Sequence, residues 1–187
     1  MGKLAKELDF EKEIMQHLED DGYVIRHASK VSSKSDYDMN TAMDQKLLMQ
    51  FLWDTQKDEM DVLLRLFGDR LQETIVNTIR NTITQKRSSF IEVLRHGVVI
   101  SNHHLDLIYK KPATNLNQKA CELYKKNVFS AIKEVWIVDG DEASEDVGRV
   151  DIVTFINGFA FATFELKFNA SGTTSQDARS QYENDRD

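Results

Sequence analysis

Close to its C-terminus the chain carries two apolar runs, Val150-Asp151-Ile152-Val153-Thr154-Phe155-Ile156 and Phe159-Ala160-Phe161-Ala162-Thr163-Phe164-Glu165-Leu166-Lys167, separated by Asn157-Gly158. Runs of β-branched and aromatic residues suit a pleated, half-buried surface. Asn-Gly suits the two positive-φ positions of a tight hairpin turn. The pattern therefore predicts an antiparallel hairpin, and the rest of the chain must supply a fold that covers it. Strand interiors normally avoid Asp, Glu and Lys, yet Asp151, Glu165 and Lys167 interrupt these two. Alternate residues share a face, so Glu165 and Lys167 project together with Cα atoms roughly 6.5–7 Å apart. Asp151, near the start of the preceding strand, can approach them across the hairpin.

Such an arrangement meets the needs of phosphodiester hydrolysis. Two carboxylates suit a hard divalent cation such as Mg²⁺, which prefers oxygen ligands and keeps several waters. The cation polarises phosphate and acidifies a bound water, and a lysine ammonium can orient that water or stabilise charge developing on phosphorus. Register sets a condition. A strict two-residue turn would pair Ile156 with Phe159 and hence Asp151 with Phe164, leaving Asp151 facing away from Glu165. The chemistry therefore predicts an irregular hairpin, with a three-residue loop and Gly158 left-handed in a bulge. The acid-x-Lys triplet alone carries little weight, because Asp44-Gln45-Lys46 repeats it in a helical stretch where the two charges are not on one face. The competing structural account is a Glu165–Lys167 ion pair at a sheet edge, with Asp151 ending an acidic loop.

That loop, residues 139–146, holds five acidic groups. It accounts for part of a net charge of −7, which is otherwise unfavourable for binding phosphates. Lys110-Lys111, Lys119, Lys125-Lys126, Arg149, Lys167, Arg179 and Arg186 tilt the remaining C-terminal surface toward positive, although an ordinary solvated surface explains them equally well. The 41% hydrophobic content suffices for a core. No apolar run approaches the roughly 20 residues that cross a bilayer, and the N-terminus lacks a signal-peptide stretch. One cysteine, Cys121, excludes an internal disulfide or a multi-cysteine zinc site. These features point to a cytoplasmic protein without membrane contact.

Upstream, apolar residues at helical spacing predict helices. Phe10, Ile14 and Leu18 form one stripe ending at Gly22, Leu47, Leu48, Phe51 and Leu52 mark a helix over 41–55, and Val62, Leu63, Leu66 and Phe67 run to Gly68. Leu71, Ile75, Thr78, Ile79 and Ile83 mark the next. Short strands are expected at Tyr23-Val24-Ile25, Val98-Val99-Ile100 and 105–109, a helix at 117–126, an extended run at 128–138 and a polar helix at 175–186. The whole is an α/β (α+β mixed) chain: a mainly helical portion at 1–97, then a sheet-containing portion at 98–187. His96, His103 and His104 lack a second ligand pair at zinc-like spacing. Cys121 reads as a small core residue, Trp53 and Trp136 as core or interface aromatics, and Glu11 and Glu13 as a solvated helix face.

At the hairpin residues the chain resembles a known family. Asp151, Asn157-Gly158 and Glu165-Leu166-Lys167 look like the nuclease motif of the N-terminal domain of type I restriction enzyme R subunits, in the PD-(D/E)XK nuclease superfamily. The likeness extends in order through Phe10-Glu11-Lys12-Glu13-Ile14, Gly22-Tyr23, Leu94-Arg95-His96-Gly97, Asn115, Tyr124, Asn127, Gln181-Tyr182 and Asp185-Arg186. It implies a PD-(D/E)XK core with a mixed central sheet flanked by helices. It also implies Mg²⁺-dependent (or Mn²⁺-dependent) cleavage of double-stranded DNA. Asp151, Glu165 and the Leu166 backbone carbonyl would be metal ligands and Lys167 the catalytic lysine. Gln181, Tyr182, Arg179 and Arg149 are candidate DNA contacts. Gln181 matches the glutamine of the family's Gln-x-x-x-Tyr element, but the fourth position after it is Asp185, so that element departs here. Relatives fuse this domain to an ATP-driven translocase and join modification and specificity subunits. This chain has no GxxxxGK[ST] motif, so ATP would belong to the rest of a longer subunit. Two other accounts remain open: a non-catalytic docking module of the same fold, and another PD-(D/E)XK DNA nuclease for repair or methylation-dependent cutting.

Overall fold

The computed structural model of the protein describes residues 2–29, 35–85, 89–138 and 147–166. The polar helix expected at 175–186 lies outside these residues. The elements are α1 (Gly2–Asp20), β1 (Val24–His27), α2 (Gln45–Thr55), α3 (Lys57–Phe67) and a 3-10 turn at Gly68–Arg70. There follow α4 (Leu71–Gln85), α5 (Phe90–His96), β2 (Val98–Ile100), β3 (His103–Leu105), α6 (Gln118–Lys125), β4 (Phe129–Val138), β5 (Val147–Ile156) and β6 (Phe159–Phe164). A four-stranded mixed sheet runs in the order β1-β4-β5-β6, with β1 parallel to β4 and the other pairs antiparallel, while β2 and β3 form a separate hairpin. The fold is thus a mixed α+β arrangement, as its alternation of 3.6- and 2-residue periods predicts.

Three apolar clusters hold it together. The largest joins α2, α3, α4 and α5 to the β2–β3 hairpin through Leu48, Phe51, Leu63, Ile75, Ile79 and Leu105, and Phe159 of β6 reaches into it. One cluster packs Tyr37 against Ile132, Val153 and Phe155 of the sheet. Another packs Met15 of α1 over Ala131 and Ile152. The sheet is therefore covered by α1 and by the segment around Tyr37, and the helical cluster grips the turn end of β6.

Several details correct the sequence-based expectations. Among the described side chains of α1 the buried ones are Glu11 and Met15, while Phe10 is 46% exposed. The stripe facing the sheet passes through positions 11 and 15, with Ile14 and Leu18 at its margin. Glu11 is therefore a buried carboxylate and not part of a solvated face. Its Oε1 lies 3.3 Å from the Lys133 ammonium of β4, out of line for a hydrogen bond, so the contact is ionic and Oε1 has no donor. Leu66 is 56% exposed because α3 turns Met60 and Leu63 inward.

The second short strand ends at Leu105 instead of spanning 105–109. Beyond it, amide side chains replace the ladder: Gln56 donates to the Asp106 carbonyl at 2.9 Å and accepts its N–H at 2.6 Å. Asn127 does the same for Tyr109, at 2.7 and 3.0 Å. Helix α5, which the apolar pattern did not announce, starts with a reciprocal Ser89–Glu92 capping box. Cys121 is half-buried on α6, a helix with no buried residue, and is not a core residue.

Helix α2 begins at Gln45, not 41, because Asp44 caps it. Its side chain accepts the Leu47 N–H at 3.0 Å and is fully buried against Arg26, whose Nε stands 2.7 Å from Oδ2. Asp44 holds the Arg26 guanidinium above its ordinary pKa by hydrogen bonding, against the opposing effect of burial. The apparent acid-x-Lys decoy is thus a capping and ion-pairing aspartate. Replacing Asp44 by alanine removes the cap, worth about 1 kcal/mol, and one of two carboxylates on a half-buried arginine. Because Arg26 keeps Asp36 at 3.2 Å, the expected loss is about 2 kcal/mol in a denaturant melt, not the roughly 3–5 of a fully orphaned charge.

Candidate active site

The β5–β6 hairpin has a two-residue turn. Ile156 pairs with Phe159 and Phe155 with Ala160, and Asn157 and Gly158 have φ of 49° and 86°, the signs a type I′ turn requires. In a regular ladder this register would set Asp151 against Phe164. The ladder is not regular. Between Phe155 and Thr154 the register shifts, so that Thr154 pairs with Ala162, Val153 with Thr163 and Ile152 with Phe164. Phe161 is the extra residue of a β-bulge. The ladder ends at Ile152 and Phe164, and carrying the shifted register one position further would set Asp151 opposite Glu165. The expected irregularity exists, but it lies in β6 and not in the loop.

Beyond the strand pairing, the Leu166 N–H donates to Asp151 Oδ2 at 2.7 Å. This bond ties the carboxylate to the chain one residue past Glu165 and limits its rotation. Asp151 and Leu166 are half-buried and Glu165 is exposed, so the pair stands at the open end of the hairpin, accessible to a solvated ligand. The bulged Phe161 meets Phe129 edge-on at 6.4 Å, and Phe129 in turn packs on Tyr23 at 5.6 Å.

The turn end is held by buried polar contacts. Asn157 is fully buried, accepts the Val128 N–H at 2.7 Å, and donates to the Leu107 carbonyl and to Asn127 Oδ1, each at 3.0 Å. Gly158 lies against the start of α2, where its carbonyl accepts the Asp44 N–H at 2.9 Å. A fixed turn and a fixed bulge together set which residues meet at the far end.

The structure joins Asp151 to the Leu166 backbone, one residue past Glu165. Lys167, Arg179, Gln181 and Tyr182 lie outside the described residues. Arg149, two positions before Asp151, sits 3.0 Å from Glu134 Oε1 in a pair about half exposed on both sides. His103 Nδ1 is 2.5 Å from Glu59 Oε2, and His104 Nε2 is 2.8 Å from the His96 carbonyl, so both rings tie down the β2–β3 hairpin.

Among the described residues no group of three or more His, Cys, Asp or Glu side chains is placed to hold a metal ion. The candidate donors at the open end of the hairpin are two hard carboxylates, Asp151 and Glu165, and the Leu166 peptide carbonyl. That set suits a cation that completes its shell with water and phosphate oxygens, not one that demands an all-protein cage. Sequence reasoning placed the bulge at the turn and not at Phe161, and it missed the buried Glu11–Lys133 contact. The only local signal for the latter was the position of Glu11 four residues before Met15.

A mixed sheet with a helix across it, and a bulged hairpin carrying Asp151 and Glu165 at its open end, is consistent with an α+β nuclease core. The chain belongs to the family described as the type I restriction enzyme R protein N terminus, whose pattern matches residues 5–187. No curated protein and no solved structure matches it. No described helix is long and apolar enough to cross a membrane.

Proposed function

We propose that this chain is the cutting domain of a type I restriction R subunit, a Mg²⁺-dependent endonuclease acting on double-stranded DNA. The observation that carries the proposal is the register shift at Phe161, which, continued one position past Ile152 and Phe164, would give Asp151 and Glu165 a shared face although the turn has two residues. Asp151, Glu165 and the Leu166 carbonyl would hold the cation. When bound, it supplies Lewis acidity toward the phosphate and a more acidic water. The Leu166 N–H fixes Asp151 Oδ2, which leaves Oδ1 as the donor offered to the cation and keeps the carboxylate from swinging away.

Lys167 follows Glu165 by two positions in the sequence. Its ammonium orients the attacking water and stabilises charge on the phosphate oxygens. Lys167 thereby takes the catalytic role, with Gln181, Tyr182, Arg179 and Arg149 as candidate backbone contacts. Double-stranded DNA and the modification and specificity subunits are the partners this implies. ATP acts on a translocase portion outside this chain, and the cytoplasm is the compartment.

Supercoiled plasmid incubated with excess protein and Mn²⁺ or Mg²⁺ tests the reading. Slow appearance of nicked and linear forms is expected, and loss of both with Glu165→Gln or with chelator. Products that persist unchanged in Glu165→Gln contradict it.

A further inference from the structure

The segment 107–127 holds five lysines, Lys110, Lys111, Lys119, Lys125 and Lys126, against one acid, Glu122, in a chain whose net charge is −7. All five lysines are exposed. The described lysines that do form ion pairs are Lys12, Lys46 and Lys133, all elsewhere. Ordinary solvated surfaces intersperse the two signs, whereas here one sign is segregated.

The fold also draws two of the lysine pairs together. The Asn127 side chain clamps the Tyr109 backbone through both its N–H and its carbonyl, at 3.0 and 2.7 Å, and bonds the Tyr124 carbonyl at 2.9 Å. Lys110-Lys111 therefore leave the clamp on one strand of chain, and Lys125-Lys126 enter it on the other. Four lysines whose backbone is tied to one clamp concentrate positive charge on this part of the surface, which an anionic partner would neutralise.

The clamp is itself fixed to the hairpin. Asn157 Nδ2 donates to Asn127 Oδ1 at 3.0 Å, so the lysines sit at the turn end of β5. Five residues separate Ile156 from Asp151, or about 17 Å of antiparallel strand. That is about half a turn of B-form duplex.

We propose that Lys110, Lys111, Lys125 and Lys126, gathered by the Asn127 clamp, form a patch that grips the phosphate backbone of duplex DNA about half a helical turn from the Asp151–Glu165 pair. The proposal rests on the reading of the chain as a DNA-cutting domain and adds where the uncut flank is held. Contacts of this kind position the duplex without reading its sequence.

The test is equilibrium binding of the whole chain to a fluorescent duplex of random sequence, in chelator, across a salt series. The variant carries Lys110→Gln, Lys111→Gln, Lys125→Gln and Lys126→Gln, which takes the net charge from −7 to −11 by removing four positive charges. A control with Lys12→Gln, Lys46→Gln and Lys57→Gln takes it from −7 to −10 by removing three. The patch variant is expected to bind at least about tenfold more weakly near 100 mM salt, with the slope of log K against log salt shallower by about 3–4. The control should stay within about threefold of the parent.

Equal losses in the two variants, an unchanged slope in the patch variant, or no duplex binding by the parent chain even at low salt each overturn the proposal. Because chelator removes any cation, the result is separable from the nuclease reading. Metal binding lost in Asp151→Ala beside an indifferent lysine variant sinks this inference alone. A salt-sensitive lysine patch on a chain that binds no metal sinks the nuclease reading and keeps the patch.

Discussion

Gly158→Ala is expected to cost about 4 kcal/mol and to lower the melting midpoint by about 10 °C. Two independent effects add. At φ 86° an L side chain is strained by about 1–3 kcal/mol. The new Cβ would also stand 2.3 Å from the Asp44 carbonyl oxygen and 3.1 Å from the Leu48 nitrogen. Both are backbone atoms at the start of α2, so relief requires the hairpin to back away from the helix, an overpacking cost of about 1–3 kcal/mol. The same movement breaks the Asp44 N–H to Gly158 carbonyl bond. The damage should reach the far end of the hairpin as weaker metal binding. A Gly158→Ala protein that melts within about 2 °C of the parent would show that the turn is not pinned to α2.

Asp151→Ala is expected to reduce cleavage by at least about a thousandfold. A cation at this site contributes several kcal/mol of transition-state charge stabilisation, and each 1.36 kcal/mol is a factor of ten. Asp151→Asn separates chemistry from structure. Its amide oxygen can still accept the Leu166 N–H that Asp151 Oδ2 accepts at 2.7 Å, so stability should match the parent. The neutral group nevertheless loses most of its hold on a divalent cation, and activity should fall with it. An Asp151→Asn protein that cuts like the parent would remove Asp151 from the site.

The elements legible in the sequence are those set by local chemistry. Asn157-Gly158 announced the hairpin because few other dipeptides suit two successive positive φ values, and Leu47, Leu48, Phe51 and Leu52 announced α2 by their period. The features that escaped depend on distant partners. The bulge rests on Phe161 meeting Phe129, 32 positions earlier in the chain, so only its necessity could be inferred, not its place. The inward turn of Glu11 depends on Lys133 arriving from β4. Alone, the helix offered Phe10, Ile14 and Leu18 as an equally good stripe. Residues 105–109 read as a strand because Leu105, Leu107, Ile108 and Tyr109 are apolar, but Gln56 and Asn127 satisfy the backbone of Asp106 and Tyr109 from 50 and 18 positions away. A shared face for Asp151 and Glu165 was stated as a condition of the chemistry, and the register shift between Thr154 and Phe155 supplies the irregularity that condition needs.

The central claim is that these two carboxylates share one cation, and calorimetric titration of Mn²⁺ or Mg²⁺ into the chain, Asp151→Ala and Glu165→Ala tests it most directly. The account predicts a single site in the parent that is lost in both variants while their folds persist. Binding unchanged by either substitution, or none up to millimolar metal with duplex DNA present, would contradict it and leave the hairpin charges to a docking role.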